Sequence, residues 1–115
     1  MRLSRNELKD LMKNKMAKAG LKEDHAETAA EILTWADERG YHSHGAVRVE
    51  YYSERIAKGG ITADPKITWK ENGPCSGILD GDNGCGYVIA KLGMEKAIEM
   101  AKKNGVAIVG MSNLS

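Results

Sequence analysis

The chain has 115 residues, of which 42% are hydrophobic and 29% are charged, so it can form one domain with a modest core. Its formal net charge is +1, with 17 basic and 16 acidic residues well mixed along the sequence. Nucleic acid and anionic membranes both attract a basic surplus on one face, so neither is expected as a partner.

No apolar run approaches the length of a membrane span, and the N-terminus is too polar for a signal peptide. We therefore expect a cytoplasmic protein. Cys75 and Cys85 could pair, but reduced thiols fit that compartment better.

Residues 1–62 are predicted to form a unit of three helices. Ser4 and Glu7 have the spacing of a capping box at the start of the first helix, and Gly20 supplies its end. The second helix is predicted from Glu23 to Arg39, with an apolar face of mainly small residues (Ala26, Ala29, Ala30, Leu33 and Ala36). The third is predicted from Ser43, as its N-cap, to about Lys58, with an inward face of Val47, Tyr51 and Ile56.

Residues 63–115 are predicted to be the beginning of an α/β domain. Two antiparallel strands, Ile67–Glu71 and Ser76–Asp80, are followed by a loop at 81–86 and a helix from Tyr87 to Asn104. The apolar run Val106–Met111 is typical of a strand that is buried on both faces. One helix and a hairpin cannot cover such a strand, so either another chain completes the sheet or the chain is part of a longer protein. The predicted fold class is α/β in α+β order, with a helical unit before an incomplete mixed sheet that has one covering helix.

The segment 42–52 contains the side chains best suited to chemistry. If it were one helix, His44, Arg48 and Tyr52 would share a face, because they are four residues apart. A titratable imidazole, a fixed cation and a phenol would suit a small anionic substrate that gains or loses a proton. Arg48 could instead form a surface ion pair with Asp37, Glu38 or Glu50, Tyr52 could be a packing residue, and His44 could simply bond to the backbone.

Two further patterns are weaker. His42 and His44, with His25 upstream, have a poor spacing for metal ligands, and no cysteine or carboxylate cluster supports them, so no metal site is predicted. Gly81, Gly84 and Gly86 precede a helix like a phosphate-binding loop, but their order differs from GxGxxG and two aspartates flank them. A tight turn is the preferred interpretation of this segment.

Ser43-His44-Gly45, followed by Arg48 and preceded by residues 36–40, resembles the N-terminal signature of the malate/L-lactate dehydrogenase-like family of NAD(P)-dependent 2-hydroxyacid oxidoreductases. The segments 42–60, 73–83 and 104–112 extend the resemblance over the whole chain. It implies a fold that is not the Rossmann fold. It also implies a longer protein, because the members of this family are much longer than 115 residues.

The resemblance implies NAD or NADP as cofactor and a small 2-hydroxy acid, such as malate, lactate or a diketo-sugar acid, as substrate. It implies His44 as the catalytic residue and Ser43, Arg48 and Tyr52 as substrate-binding residues, with cofactor-binding residues unknown. Other members of this family use a histidine beyond this segment to take the proton. His44 is therefore either the proton carrier or a residue that contacts the substrate or the cofactor. The full protein is expected to be a homodimer or larger, and the chain alone to be inactive. The alternative is a non-catalytic helical interaction module.

Overall fold

The computed structural model describes residues 2–115 and divides into two compact units, one ending at Ala63 and the other comprising Asp64–Ser115. The first unit contains α1 (Arg5–Lys18), α2 (Glu23–Glu38), two short 3₁₀ turns (His42–His44 and Ala46–Arg48) and α3 (Val49–Ala57). The second contains β1 (Thr68–Glu71), β2 (Ser76–Gly84), α4 (Gly86–Asn104) and β3 (Ile108–Leu114). No helix among the described residues is both long and apolar enough to cross a membrane.

The start of α1 is fixed by the predicted capping box. The Ser4 hydroxyl accepts from the Glu7 N–H at 3.2 Å, and the Glu7 carboxylate accepts from the Ser4 N–H at 3.1 Å. These two bonds satisfy N–H groups that have no partner within the helix. The bond from the Ser4 N–H lowers the pKa of the Glu7 carboxyl because it favours the charged form. The predicted small-residue face of α2 is confirmed. All five of its residues are buried in the core of the first unit, together with other side chains from α1, α3 and the connections (Met12, Met16, Leu21, Ile56 and Ile61).

A ladder of ion pairs joins the outer faces of α1 and α2. Three basic residues spaced four apart on α1 face acidic residues of α2 in reverse order, so the two helices run antiparallel. The pairs are Arg5 with Glu31 and Glu38, Lys9 with Glu27 and Glu31, and Lys13 with Glu23 and Glu27. Hydrogen bonds from Lys9 are the first cause that lowers the pKa of Glu27 and of Glu31.

The second unit is a mixed three-stranded sheet in the order β1-β2-β3. β1 pairs antiparallel with β2, as predicted, and β3 runs parallel to β2 after the α4 crossover. α4 ends at Gly105, whose φ of 86° is left-handed and whose N–H donates to the Ala101 carbonyl. The core contains Leu79, Val88, Ile89, Met100 and Cys85, whose thiol has a raised pKa because it is buried. Both cysteines are free thiols.

The predicted third helix is wrong in its first half. It begins at Val49 rather than at Ser43, after two 3₁₀ turns that are separated by the non-helical backbone of Gly45. The inward face is therefore displaced, and Val47 and Tyr51 are 67% and 53% exposed. Ile56 is buried as predicted. Ser43 does not cap a helix through its side chain, because its hydroxyl is paired with the neighbouring imidazole.

Two predictions in the second unit are also wrong. Residues 81–84 are not a loop but the end of β2, which pairs irregularly with β3 beyond Asp80. Asp82 and Asn83 have positive φ values of 51° and 56° there, and these carry the chain through the irregularity. The third strand runs from Ile108 to Leu114 rather than from Val106 to Met111. It is largely exposed because β2 is its one neighbouring strand among the described residues, as expected for a strand that this chain cannot cover, and its burial on both faces stays a prediction for a completed sheet.

Candidate functional site

The connection between α2 and α3 is organised by the Asp37 carboxylate. Oδ1 lies 2.9 Å from Nδ1 of His42, and Oδ2 accepts a hydrogen bond from the Ala46 N–H at 2.7 Å. The side chain of Asp37 is 17% exposed, so both bonds form at a largely desolvated carboxylate. Hydrogen bonds to a charged acceptor are stronger than neutral ones. One carboxylate thus holds the two ends of the His42–Ala46 turn.

Gly45 is required where the backbone passes Asp37. A Cβ on Gly45 would lie 2.2 Å from Cγ and from Oδ1 of Asp37, a separation that no side chain can adopt. Gly45 is buried, and its backbone, at φ −107° and ψ −137°, interrupts the helical path between the two 3₁₀ turns. The glycine therefore lets the chain pack directly on the carboxylate that anchors it.

Ser43, His44 and Arg48 are brought together within this turn. Oγ of Ser43 lies 2.8 Å from Nδ1 of His44, and Nε of Arg48 donates to the Ser43 carbonyl at 2.8 Å. His44 and Ser43 are exposed, and Arg48 is half-buried. A hydroxyl, an imidazole and a guanidinium thus share one short segment, although it is not the continuous helix that the sequence predicted.

Each carboxylate that could have paired with Arg48 on the surface is engaged elsewhere. Asp37 binds His42 and Ala46, Glu38 accepts from Nε of Arg5 at 2.5 Å, and Glu50 pairs with Lys15. The bond from Arg48 to Ser43 uses Nε, and the two terminal nitrogens of a guanidinium are by themselves a pair that can hold both oxygens of a carboxylate. None of these three carboxylates therefore forms an ion pair with Arg48 in the described structure, and the role of Arg48 as an anion-binding residue stays a prediction.

Tyr52 lies half-buried on α3, one turn beyond Arg48. Its ring packs edge-to-face against Tyr51, with 5.7 Å between the ring centroids. Its predicted role as a donor to the substrate stays a prediction.

Sequence reasoning treated Asp37 only as an alternative ion-pair partner of Arg48 and missed its role as the anchor of the turn. One signal was available: Asp37 lies in the last turn of α2, where a negative charge opposes the helix dipole. An unfavourable charge at a helix end indicates a partner outside the helix, and here the partners are five and nine residues downstream.

The glycine segment before α4 does not fit the pyrophosphate of a dinucleotide. Residues 81–84 are strand, and the first N–H of α4, on Gly86, donates to the Ser115 carbonyl at 2.5 Å. A phosphate-binding helix start presents its N–H groups to the ligand instead. Among residues 2–115 there is also no group of three or more His, Cys, Asp and Glu side chains arranged to hold a metal ion.

Comparison with known proteins gives a consistent result. The family model described as malate/L-lactate dehydrogenase matches residues 3–115. Ureidoglycolate dehydrogenase (NAD(+)) from Escherichia coli (strain K12) is 57% identical over 114 residues, which are 99% of this chain and 33% of that protein. Malate dehydrogenase from Pyrococcus abyssi is 38% identical over 113 residues, or 98% of this chain and 31% of that protein.

Among solved structures, malate dehydrogenase from Pyrococcus horikoshii OT3 superposes with a TM-score of 0.95 at 35% identity. The match covers 100% of this chain and 33% of that one. The chain therefore spans about a third of the length of the relatives it matches.

Proposed function

The chain belongs to the malate/L-lactate dehydrogenase family, and on that premise we propose that it forms part of an NAD-dependent dehydrogenase acting on ureidoglycolate. The observation that carries the proposal is the Ser43–Arg48 turn, in which the guanidinium donates to the Ser43 carbonyl and the Ser43 hydroxyl pairs with the His44 imidazole, each at 2.8 Å. The substrate is chosen by similarity, because identity is 57% to ureidoglycolate dehydrogenase and 38% to malate dehydrogenase.

Arg48 binds the substrate carboxylate through its terminal nitrogens and so orients the adjacent carbon, which bears the hydroxyl. Ser43 and His44 lie beside that hydroxyl and bond to it. Tyr52 donates to the substrate from the next helical turn. In the reaction the C–H and O–H bonds break and a C=O bond forms, giving oxalurate, and the hydroxyl proton goes to a base. NAD, held by other parts of the protein, would supply the acceptor for the hydride.

His44 is the first candidate for handling the hydroxyl proton. Its ring nitrogen Nδ1 faces a serine hydroxyl, which can either donate or accept. His44 can therefore accept the proton or position the hydroxyl for another base. The cofactor is expected to be held by parts of the protein other than residues 2–115, since the glycine segment of this chain does not fit its pyrophosphate.

The biological setting follows from the proposed substrate. We place the full protein in allantoin and purine breakdown, in the cytoplasm, as a homodimer or larger assembly. Two free cysteines, one of them half-buried, are compatible with a reducing compartment.

The proposal is tested with a chimera in which this chain replaces the matched 114 residues of the E. coli ureidoglycolate dehydrogenase. We expect the chimera to reduce NAD with ureidoglycolate and to prefer it to malate in kcat/KM. The 115-residue chain alone is the control and is expected to show no turnover. A chimera that folds and binds NAD but does not oxidise ureidoglycolate, or an isolated chain that does, contradicts the proposal.

A further inference from the structure

We propose that Asp37 is a positioning residue that fixes neutral His42 as its Nδ1–H tautomer, and that the outward Nε2 of His42 accepts an N–H of the substrate's ureido group. The choice of ureido group rests on the proposed function. The tautomer rests on the contacts of the turn alone. His42 thereby becomes a specificity-determining residue in the same α2–α3 connection as Ser43 and Arg48.

The carboxylate leaves His42 one arrangement. An ionised carboxylate only accepts hydrogen bonds, so the 2.9 Å contact requires the proton on Nδ1 of His42. The other oxygen is occupied by the Ala46 N–H at 2.7 Å, which prevents the carboxylate from turning away. The His42 side chain is 76% exposed, and because Nδ1 is the engaged atom, Nε2 presents its lone pair away from Asp37.

His44 differs in this respect. Its partner is the Ser43 hydroxyl, which can donate to Nδ1 or accept from it, so both neutral tautomers are compatible with the 2.8 Å contact. Of the two imidazoles in the turn, His42 alone is paired with a carboxylate in the part of the chain that the structure describes. His42 is therefore the imidazole whose hydrogen-bond acceptor, Nε2, is fixed before a substrate binds.

An imidazole acceptor backed by a carboxylate suits the third group of ureidoglycolate. Beside its carboxylate and hydroxyl, this substrate carries a ureido group with N–H donors. Malate carries a second carboxylate in its place, which offers lone pairs and negative charge. The Nε2 lone pair accepts from the first group, whereas the second would face both that lone pair and the charge of Asp37.

The Asp37→Asn variant is expected to move the ring proton of His42 without changing the shape of the turn. One terminal atom of the asparagine must accept from the Ala46 N–H, so the amide oxygen takes that place. The amide NH₂ then faces Nδ1 of His42 and can only donate to it, which moves the imidazole proton to Nε2. The turn keeps its shape, but the outward atom changes from an acceptor to a donor.

The first test is two-bond ¹H–¹⁵N correlation spectroscopy of the histidine rings in the 115-residue chain at about pH 8.5. We expect mainly Nδ1–H for His42 and mainly Nε2–H in Asp37→Asn. Glu38→Gln, which neutralises the adjacent carboxylate that binds Arg5, should leave His42 as it is in the unchanged chain. If His42 shows the tautomer ratio of free histidine in solution, the proposal is overturned, whether the Asp37 pair is open or the chain is unfolded.

The second test measures specificity in the chimera. Asp37→Asn should raise KM for ureidoglycolate about tenfold, the effect of one hydrogen bond, with little change in kcat. Asp37→Asn should leave malate turnover unchanged or raise it. Glu38→Gln should change neither the KM for ureidoglycolate nor the turnover of malate. If the chimera oxidises ureidoglycolate and its preference over malate is the same in Asp37→Asn, the role of His42 is refuted and the proposed function stands. A chimera inactive on ureidoglycolate refutes the proposed function, and the tautomer is still decided by the first test.

Discussion

The Nε of Arg48 donates a hydrogen bond to the carbonyl oxygen of Ser43 at 2.8 Å, closing a turn whose other end is held by Asp37. The guanidinium is thus fixed through its Nε, and this bond does not use the two terminal nitrogens. A side chain that is fixed in this way loses less conformational freedom when it binds an anion. The turn, rather than a helix face, is the unit that positions the candidate site.

Gly45→Ala tests the anchor of the turn. The new Cβ would lie 2.2 Å from the Asp37 carboxylate, so the carboxylate must leave His42 and Ala46. We expect the free energy of unfolding to fall by about 1–3 kcal/mol, and His42 to lose its Nδ1–H tautomer. Urea unfolding followed by circular dichroism measures the first effect, and ring ¹⁵N spectra measure the second.

Gly40→Ala is the matched control. Gly40 has a φ of 82° and open space around its missing Cβ, so an alanine there costs about 1–2 kcal/mol through backbone strain without touching Asp37. If Gly40→Ala changed the tautomer of His42 as much as Gly45→Ala, the close contact at Gly45 would not be its cause.

The ion-pair ladder predicts acid sensitivity of the first unit. The pKa values of Glu27 and Glu31 are lowered in the folded chain, first by hydrogen bonds from Lys9. A lowered carboxyl pKa contributes stability that is fully present above its unfolded value of about 4.5 and is lost as pH falls through the folded pKa. We expect the melting temperature to drop below about pH 4.5.

Glu27→Gln should flatten this acid dependence, and added salt should weaken the ladder because its members are partly exposed. Glu99→Gln changes an exposed carboxylate on α4, outside the ladder, and serves as the control. An equal acid profile in Glu27→Gln and in the unchanged chain would mean that the ladder does not contribute.

The exposed strand β3 predicts self-association of the isolated chain. Ile108 is 74% exposed at its start, and unpaired strand edges with apolar side chains tend to pair with other chains. We expect light scattering to show a mass that rises with concentration, and Ile108→Lys to reduce it. Val106→Lys adds the same charge at an exposed residue that precedes β3, and it should have less effect. A chain that stays monomeric at all concentrations contradicts the prediction.

The parts of the fold that follow from local patterns were predicted from the sequence. The Ser4–Glu7 capping box and the buried small-residue face of α2 each depend on a few neighbouring residues. The antiparallel pairing of β1 with β2 follows similarly from the turn signals between them.

The features that failed depend on distant contacts. The helical spacing of residues placed the start of the third helix at Ser43. The bonds of Asp37 and the close packing of Gly45 override helical propensity there. The end of β2 continues as strand despite its glycines, because β3 pairs with it from thirty residues further along the chain. The residues of the candidate site were predicted from their types and from the family resemblance, whereas Asp37, their anchor, was not.

The kcat/KM of the Arg48→Ala chimera tests whether Arg48 binds the substrate carboxylate. Loss of a charged hydrogen-bonding pair to the carboxylate should lower kcat/KM for ureidoglycolate about 30- to 100-fold, and added guanidinium should restore part of it. Arg55→Ala, which removes the guanidinium that lies 5.7 Å from the Tyr51 ring, should change it less than threefold. If the folded Arg48→Ala chimera kept its kcat/KM, the turn at Ser43–Arg48 would not be the site that binds the substrate carboxylate.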